Sequence, residues 1–557
     1  MELIKKALQA GLIAGVVSTS AFAQNIADAK KAIDAEQYQQ AKSILKKLIA
    51  AQPAAPENYF FLGNVYLKTD YVDSAKVVFT KGVTADGKDA FNYIGLGAID
   101  LINNNAAAAK GNFEKAVSLA PKKDNDPYIY AAKALIASEK PDYTTAQTYL
   151  EKAKSMDEKD AEVYLALGDL YRGQQKHGEA YGAYRTAFEL DKNLLRAKIE
   201  LGVLNRMTKA FKESTDEFNS VLAINPKYGP AYRELAETNL RWSFGAPEAE
   251  KNARLQAAVD NYKKYLDNTD RSVDSRVRYA DLLVYKGDWK ALEQEAQEMV
   301  KQDNSNPKIY RYLGISAYEN GNYPASVQAL KDFMSKVEPR RTIAWDYAYL
   351  GKAQLKTGDP EAYTNLSKAI DKDSTLAEEF STLGAAAFKD KKYGDAAKLY
   401  ALAVQGPTTS HTVTDYFYVG YSNYFDYVGK APAEKAAAKD LLVQADSAFS
   451  KVNTLAPTYA LAYLYRARVN RYLDNEKNPK GLAVPYFEKY VEVLSAKPEN
   501  LTDPKNKRDL TDAYNNIAGF YLQSNPGKAK EYLNKTLSLD PANSYAADAM
   551  KALGGSK

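Results

Sequence analysis

At 557 residues, with 45% hydrophobic and 26% charged side chains, the chain has the composition of an ordinary folded protein, long enough for several domains or one extended array. Lys plus Arg outnumber Asp plus Glu by only 75 to 70, which gives no electrostatic case for nucleic acid or an acidic membrane surface. There is no Cys, and the two histidines are His177 and His411, which excludes thiol nucleophiles, disulfides, thiolate metal sites and multi-histidine metal cages.

The first segment reads as a signal peptide over 1–23. Lys5 and Lys6 precede an apolar run from Ala7 to Val17, and Ala21-Phe22-Ala23 forms an A-x-A cleavage site, so the mature chain is expected to begin at Gln24. The competing reading, a first amphipathic helix, is disfavoured by Gly11, Gly15 and the run Ser18-Thr19-Ser20. The apolar stretch is short for a bilayer, and no later segment approaches about 20 uncharged apolar residues. No Cys follows it, so a lipid-anchored product is excluded. The expectation is an exported protein, periplasmic or secreted.

From there the chain repeats itself every 34 residues. Ala161 to Tyr171, Leu195 to Asn205 and Gly229 to Asn239 share one register, with Leu167-Gly168, Leu201-Gly202 and Leu235-Ala236 in equivalent places. Extending that register gives fourteen units, starting near 22, 56, 90, 127, 161, 195, 229, 273, 307, 344, 377, 413, 460 and 511. The eighth residue of every unit is small: Ala29, Gly63, Gly97, Ala134, Gly168, Gly202, Ala236, Ala280, Gly314, Gly351, Gly384, Gly420, Ala467 and Ala518. A second small site lies near position 20, as in Ala41, Ala75, Ala109 and Ala146.

Large residues at positions 4, 7 and 11 predict a helix A. Large residues at positions 24 and 27, such as Phe79, Phe113, Phe188 and Tyr400, predict a helix B that crosses helix A at the small sites. Pro at position 32, as in Pro53, Pro121, Pro226 and Pro457, ends helix B. Units starting at 229, 413 and 460 are enlarged between their helices, which predicts projecting hairpins, the third over Asp474 to Val484. Lys497 to Lys507, with two prolines, reads as a linker or bend. Ser544 to Leu553 reads as a helix covering the last apolar face, within a C-terminal cap and tail over 544–557.

This order of aromatic, Leu-Gly, Tyr, Ala, aromatic, Ala and Pro resembles the tetratricopeptide repeat (TPR) family, over essentially 24–543. The resemblance implies an all-α, right-handed superhelical solenoid whose concave surface, lined by helix A positions 2, 5, 9, 12 and 13, binds peptides or protein surfaces. At such positions stand Arg172, Arg196, Arg206, Arg233, Arg241 and Arg311, with Glu162, Asp169 and Glu237 between them. Guanidinium forks suit the carboxylates of acidic peptide segments, which makes these arginines candidates for partner binding. The alternative is that the acidic residues pair with them across adjacent repeats.

A second candidate cluster holds Phe417, Tyr421, Tyr424 and Phe425, followed by Arg468, Arg471 and Tyr472. Aromatic and Arg side chains together suit an interface hot spot or stacking on a sugar ring; the alternative is packing under the enlarged hairpin. The Lys and Asn pattern of the family's carboxylate clamp is not matched, since Phe60 stands where its Lys is expected.

The abundant tyrosines at positions 4 and 11 read as structural. No phosphate loop, G-x-S-x-G or H-E-x-x-H occurs, and no catalytic residue, metal site or cofactor is expected. The reading is a protein-binding adaptor or assembly scaffold of the bacterial cell envelope, with a glycan- or polymer-binding protein as the alternative.

Overall fold

The computed structural model describes residues 25–409 and 411–554. The signal peptide expected at 1–23 and its cleavage after Ala23 lie outside the described residues, as do Ser410 and the tail 555–557. The described residues hold thirty α-helices and no strand, paired helix against helix along the chain. This is the all-α repeat architecture that the 34-residue period implies. Helix A begins at 26, 56, 91, 126, 161, 195, 229, 273, 307, 344, 377, 412, 460 and 504. The described residues divide into two compact units, one ending at Ile309 and the other beginning at Tyr310.

Each repeat is closed by one recurrent contact. A Cβ added to Gly63 would sit 2.2 Å from the Phe79 ring, and one added to Gly168 would sit 2.4 Å from the Tyr184 ring. Position 8 of helix A is thus a socket for the position-24 side chain of helix B. Phe79 and Tyr184 have no solvent exposure, and burying such a ring stabilises the fold by roughly 2–3 kcal/mol. Where position 8 is alanine, as at Ala29 and Ala134, position 24 carries the smaller Leu45 and Leu150, also fully buried.

Position 27 departs from expectation: Gly82, Ala116, Ala153, Ala187 and Val221 stand there, all buried, while Phe188 lies one place further on. The reason is the next repeat. A Cβ on Gly82 would meet the Asn92 side chain at 2.2 Å, so helix B must stay slim where the following helix A crosses it.

The turn between helices A and B is equally regular. Its residue at position 15 is left-handed in Glu36, Asp70, Asn104, Gln175, Lys209 and Lys391, with φ of 58–64°, and in Gly287, Gly321 and Gly358. The amide that follows bonds five residues back, as from Gln37 N to Ala32 O at 2.8 Å and from Lys176 N to Tyr171 O at 2.8 Å, which satisfies a helix-end carbonyl. At the other joint, position-4 tyrosines donate to the carbonyl six residues earlier: Tyr59 to Pro53, Tyr164 to Glu158 and Tyr232 to Pro226, each at 3.0 Å. These tyrosines tie helix A to the preceding helix B end, a structural role.

The enlarged repeats differ among themselves. The first continues as the helix Glu248–Asn268, with Trp242 stacked on Phe211 at 5.7 Å and covered by the Arg254 guanidinium at 3.4 Å. The third holds an irregular hairpin between the helices Ala460–Leu473 and Val484–Ser495. The expected linker at 497–507 is instead a 3-10 turn, Pro498–Thr502, followed by the helix Pro504–Ser524. Asp503 caps that helix by accepting from Lys505 N and Asn506 N at 2.8 and 3.0 Å, and Pro504 suits its first turn, so the last helix A starts seven residues before 511. The terminal helix Ser544–Gly554 buries Ala546 against Ala518 and Leu533.

Candidate functional site

The six arginines of the central stretch each meet a carboxylate of this same chain. Arg172 pairs with Glu200 of the next repeat, and Arg196 takes both oxygens of Asp169 at 2.9 and 2.8 Å. Arg206 pairs with Glu234 at 2.6 Å, Arg233 with Glu36 and with Glu234 at 3.0 Å, and Arg241 with Glu237 at 2.7 Å. Arg311 grips Asp346 through two bonds of 2.7 and 2.8 Å. Most of these pairs bridge adjacent repeats, so the inner face of helix A carries a ladder of charge-assisted rungs. Lys133 with Glu162 and Lys352 with Glu379 extend the same pattern.

The rungs are buried enough for their charges to depend on each other. Burial opposes the charge of Arg196, but Asp169 and Glu200 outweigh it and hold the guanidinium more firmly protonated than usual. Burial likewise pushes the Glu200 carboxyl up, and Arg172 and Arg196 pull it part of the way back. Glu162 lies below its ordinary range because Lys133 stands against it.

In the first unit the inner face closes on itself. Asp34, in the first repeat, accepts from the Tyr228 hydroxyl at 2.8 Å, and Glu36 accepts from Arg233 and from the Tyr265 hydroxyl, the latter at 2.9 Å. Gln37 donates to Asn268 O at 3.1 Å, and Gln39 N donates to Asp270 Oδ2 at 2.8 Å. Ala35 joins the apolar cluster of Leu195, Phe218, Tyr228 and Leu235. The turn of repeat 1 is therefore clasped by repeats 6 and 7. Burial and then Arg196 and Lys133 depress the Lys68 ammonium, with Glu36 and Asp34 opposing.

In the second unit the aromatic candidates pack on one another. Phe417, 6% exposed, lies 5.2 Å from Tyr421 in a stacked arrangement and 5.6 Å from Phe449. Tyr421 also stacks on Phe388 at 5.4 Å and meets the Tyr465 hydroxyl at 3.2 Å, while Tyr424 and Phe425 contact each other edge to face at 5.4 Å. Their rings are largely spent on the join between repeats 11, 12 and 13.

Arg468 bonds Asp509 at 3.0 Å and lies 3.5 Å from Asp512. Arg471 differs: it is exposed, and the acceptor it reaches is the Asn516 amide oxygen at 3.1 Å. It lines a cavity of about 880 Å³ on the helix A face of the last repeats, bounded by the 474–484 hairpin and Tyr545. The hairpin's role as a wall was not assigned from the sequence, whereas pairing of the arginines with acidic residues across adjacent repeats is the alternative reading given there, and Asp169 pairs in that way with Arg196. The ladder did leave a signal, because several of its acids stand about one repeat from their arginines, beyond them in Arg172 with Glu200 and Arg206 with Glu234 and before it in Arg196 with Asp169.

His177 opens the helix His177–Leu190 and is exposed, as is His411. Among the described residues no group of three His, Cys, Asp or Glu side chains could hold a metal ion, and no helix is long and apolar enough to cross a membrane.

A tetratricopeptide repeat model matches residues 56–89, 127–160 and 161–194, three of the repeats built on the position-8 socket. The chain is similar to the human protein named "Cell division cycle protein 16 homolog", 24% identical over 228 residues, which cover 39% of this chain and 35% of that one; the mouse protein of that name gives the same figures. The chain thus spans about a third of the length of the curated relatives it matches.

Similar solved structures include the C-terminal part of a TPR repeat-containing protein from Cytophaga hutchinsonii, 26% identical, covering 49% of this chain and 99% of that one with a TM-score of 0.28. A tetratricopeptide repeat protein from Parabacteroides merdae is 17% identical, covering 45% and 93%, with a TM-score of 0.31. Yeast Tom70 is 15% identical, covering 86% and 99%, with a TM-score of 0.27. Tetratricopeptide repeats are present in this chain.

Proposed function

We propose that the chain is an adaptor or assembly scaffold that holds protein partners on the helix A face of its tetratricopeptide repeats, and that it works in the bacterial cell envelope after export. The observation that carries the scaffold reading is the ladder itself. Arg196 with Asp169, Arg206 with Glu234 and Arg311 with Asp346 neutralise one another at hydrogen-bond distance, which gives a rigid face shaped for contact rather than a reactive centre. Export rests on Lys5, Lys6, the run Ala7 to Val17 and Ala21-Phe22-Ala23.

Both parts have a test. The full-length chain is expressed in a Gram-negative host with a C-terminal tag, recovered from the periplasmic fraction, and its N-terminus is sequenced. Export predicts Gln24 as first residue; retention of Met1 in the cytosol contradicts it. Affinity purification from envelope extract of the source cell, quantified by mass spectrometry, predicts a protein retained in near-stoichiometric amount. Recovery of the chain alone, with turnover of an envelope polymer instead, sinks the scaffold reading.

A further inference from the structure

We infer that the cavity walled by the 474–484 hairpin is a docking site for an acidic segment of a partner protein, with carboxylate side chains taken by Arg471 and Lys477 and a neighbouring apolar side chain set against Phe520 and Tyr545. The inference rests on the scaffold reading and locates its contact.

Charge is the first reason. Of the eight arginines on helix A faces discussed above, seven pair with carboxylates, whereas Arg471 reaches an amide oxygen at 3.1 Å and keeps the rest of its fork for another group. Lys477, on the opposite wall, is exposed and is paired with no carboxylate among the described residues. The acid that lines the cavity is already engaged. Asp474 accepts backbone amides of Asn475 and Lys480 on Oδ1, at 2.8 and 2.9 Å, and of Leu482 on Oδ2 at 3.0 Å. The site therefore presents two cations that form no intrachain ion pair, beside one carboxylate whose oxygens are taken by backbone amides.

Rigidity is the second. Those bonds to Asp474, with Asn475 Oδ1 accepting from Lys477 N and Asn478 N at 2.9 and 3.1 Å, tie the hairpin back to its own first residues. Gly481 has φ of +73°, and a Cβ there would sit 2.5 Å from the Phe520 ring, so the loop is fastened onto the helix floor. A preformed wall lowers the ordering cost of binding.

Size and surface choose the ligand. The cavity of about 880 Å³ lies within the ~300–1,000 Å³ range of binding pockets. Its apolar part includes Val484, Phe487, Phe520, Leu522 and Tyr545, the last 45% exposed. Gly481 lies against the Phe520 ring, and apolar surface beside two cations suits a peptide that carries acidic and apolar side chains together.

The test pans a random decapeptide library, displayed with every peptide fused at its C-terminus so that no terminal carboxylate is free, against the full mature chain. The double variant R471A/K477A and the single variant R471K serve as counter-targets, with thermal unfolding confirming that each folds. Enriched peptides are expected to carry Asp or Glu beside an apolar residue. Synthetic copies are expected to bind about tenfold to a hundredfold more weakly to R471A/K477A, and to weaken with salt. Enrichment of uncharged peptides, equal binding to the double variant, or no enrichment overturns the inference. So does a hexameric galacturonate that binds in an Arg471-dependent way where peptides do not. If envelope proteins captured by the natural chain are captured equally by R471A/K477A, this site falls while the scaffold reading stands.

Discussion

The Tyr228 hydroxyl donates to Asp34 Oδ2 at 2.8 Å, joining residues 194 positions apart. With Arg233 and Tyr265 on Glu36, it fastens the turn of the first repeat to the seventh. That clasp makes the first helix part of a closed arrangement instead of a fraying end. Glu36→Ala removes both of its partners at once and leaves Arg233 with Glu234. Amide exchange in Ile26–Asp34 should then accelerate about tenfold, a local loss of roughly 1–2 kcal/mol, with no change in residues 310–554. Uniform acceleration across both units would mean that the clasp supports the whole chain.

Asp34 also gives the clasp a pH dependence. Burial raises its carboxyl above the ordinary 3.8, and the Tyr228 hydrogen bond works against that rise. Between 3.8 and the raised value the closed state binds a proton that the open state releases, so clasp stability falls as pH increases across that window. A carbon-detected titration of Asp34 should show a midpoint above 3.8 in the natural chain and a still higher one in Tyr228→Phe, which loses the donor.

The position-8 socket makes a paired prediction. Gly168→Ala forces a Cβ into the Tyr184 ring, whose hydroxyl is pinned by Asp169 at 2.9 Å, and should cost about 1–3 kcal/mol in urea unfolding. Gly182→Ala lies in the helix His177–Leu190 with nothing within 4 Å of the added carbon, and should stabilise by up to about 1 kcal/mol. A loss at both positions would point to backbone strain rather than to the ring.

The left-handed turn position yields stabilising changes. Lys209 and Lys391 sit at φ of 64° and 60° with exposed side chains, so Lys209→Gly and Lys391→Gly should each raise stability by roughly 0.5–1 kcal/mol. Differential scanning calorimetry of the two variants checks this.

Arg311 and Arg471 separate structure from binding. Arg311→Ala strands Asp346, fully buried, which also caps Ile343 N at 2.8 Å, and should cost about 3 kcal/mol. Arg471→Ala, with an amide as its acceptor, should leave the unfolding midpoint within about 0.5 kcal/mol of the natural chain.

Much of this was legible in the sequence because sockets and turns are local. The 34-residue step placed helix A to within a few residues, and small residues at position 8 announced a close crossing. Cross-repeat pairing stood as an alternative in the sequence, but which acids would pair eluded a local reading. The acids that engage Arg172 and Arg206 lie 28 residues on, in the following repeat, where they look like ordinary solvated charge. The clasp between Glu36 and Arg233 spans 197 residues and has no periodic signature at all. The last helix A began earlier than expected because two prolines, which read as a break, stand one in a 3-10 turn and the other in the first helical turn, where proline is tolerated.

The central proposal is that partners are held on the helix A face, with the 474–484 cavity as a contact. A photo-activatable amino acid placed at Gln523, which lines the 474–484 cavity, and separately at Lys68, at the end of the helix Pro56–Lys68, tests it in living cells of the source. The account predicts a protein cross-link from Gln523 that disappears in R471A/K477A, and none from Lys68. A protein cross-linked from Lys68 with none from Gln523 would contradict it.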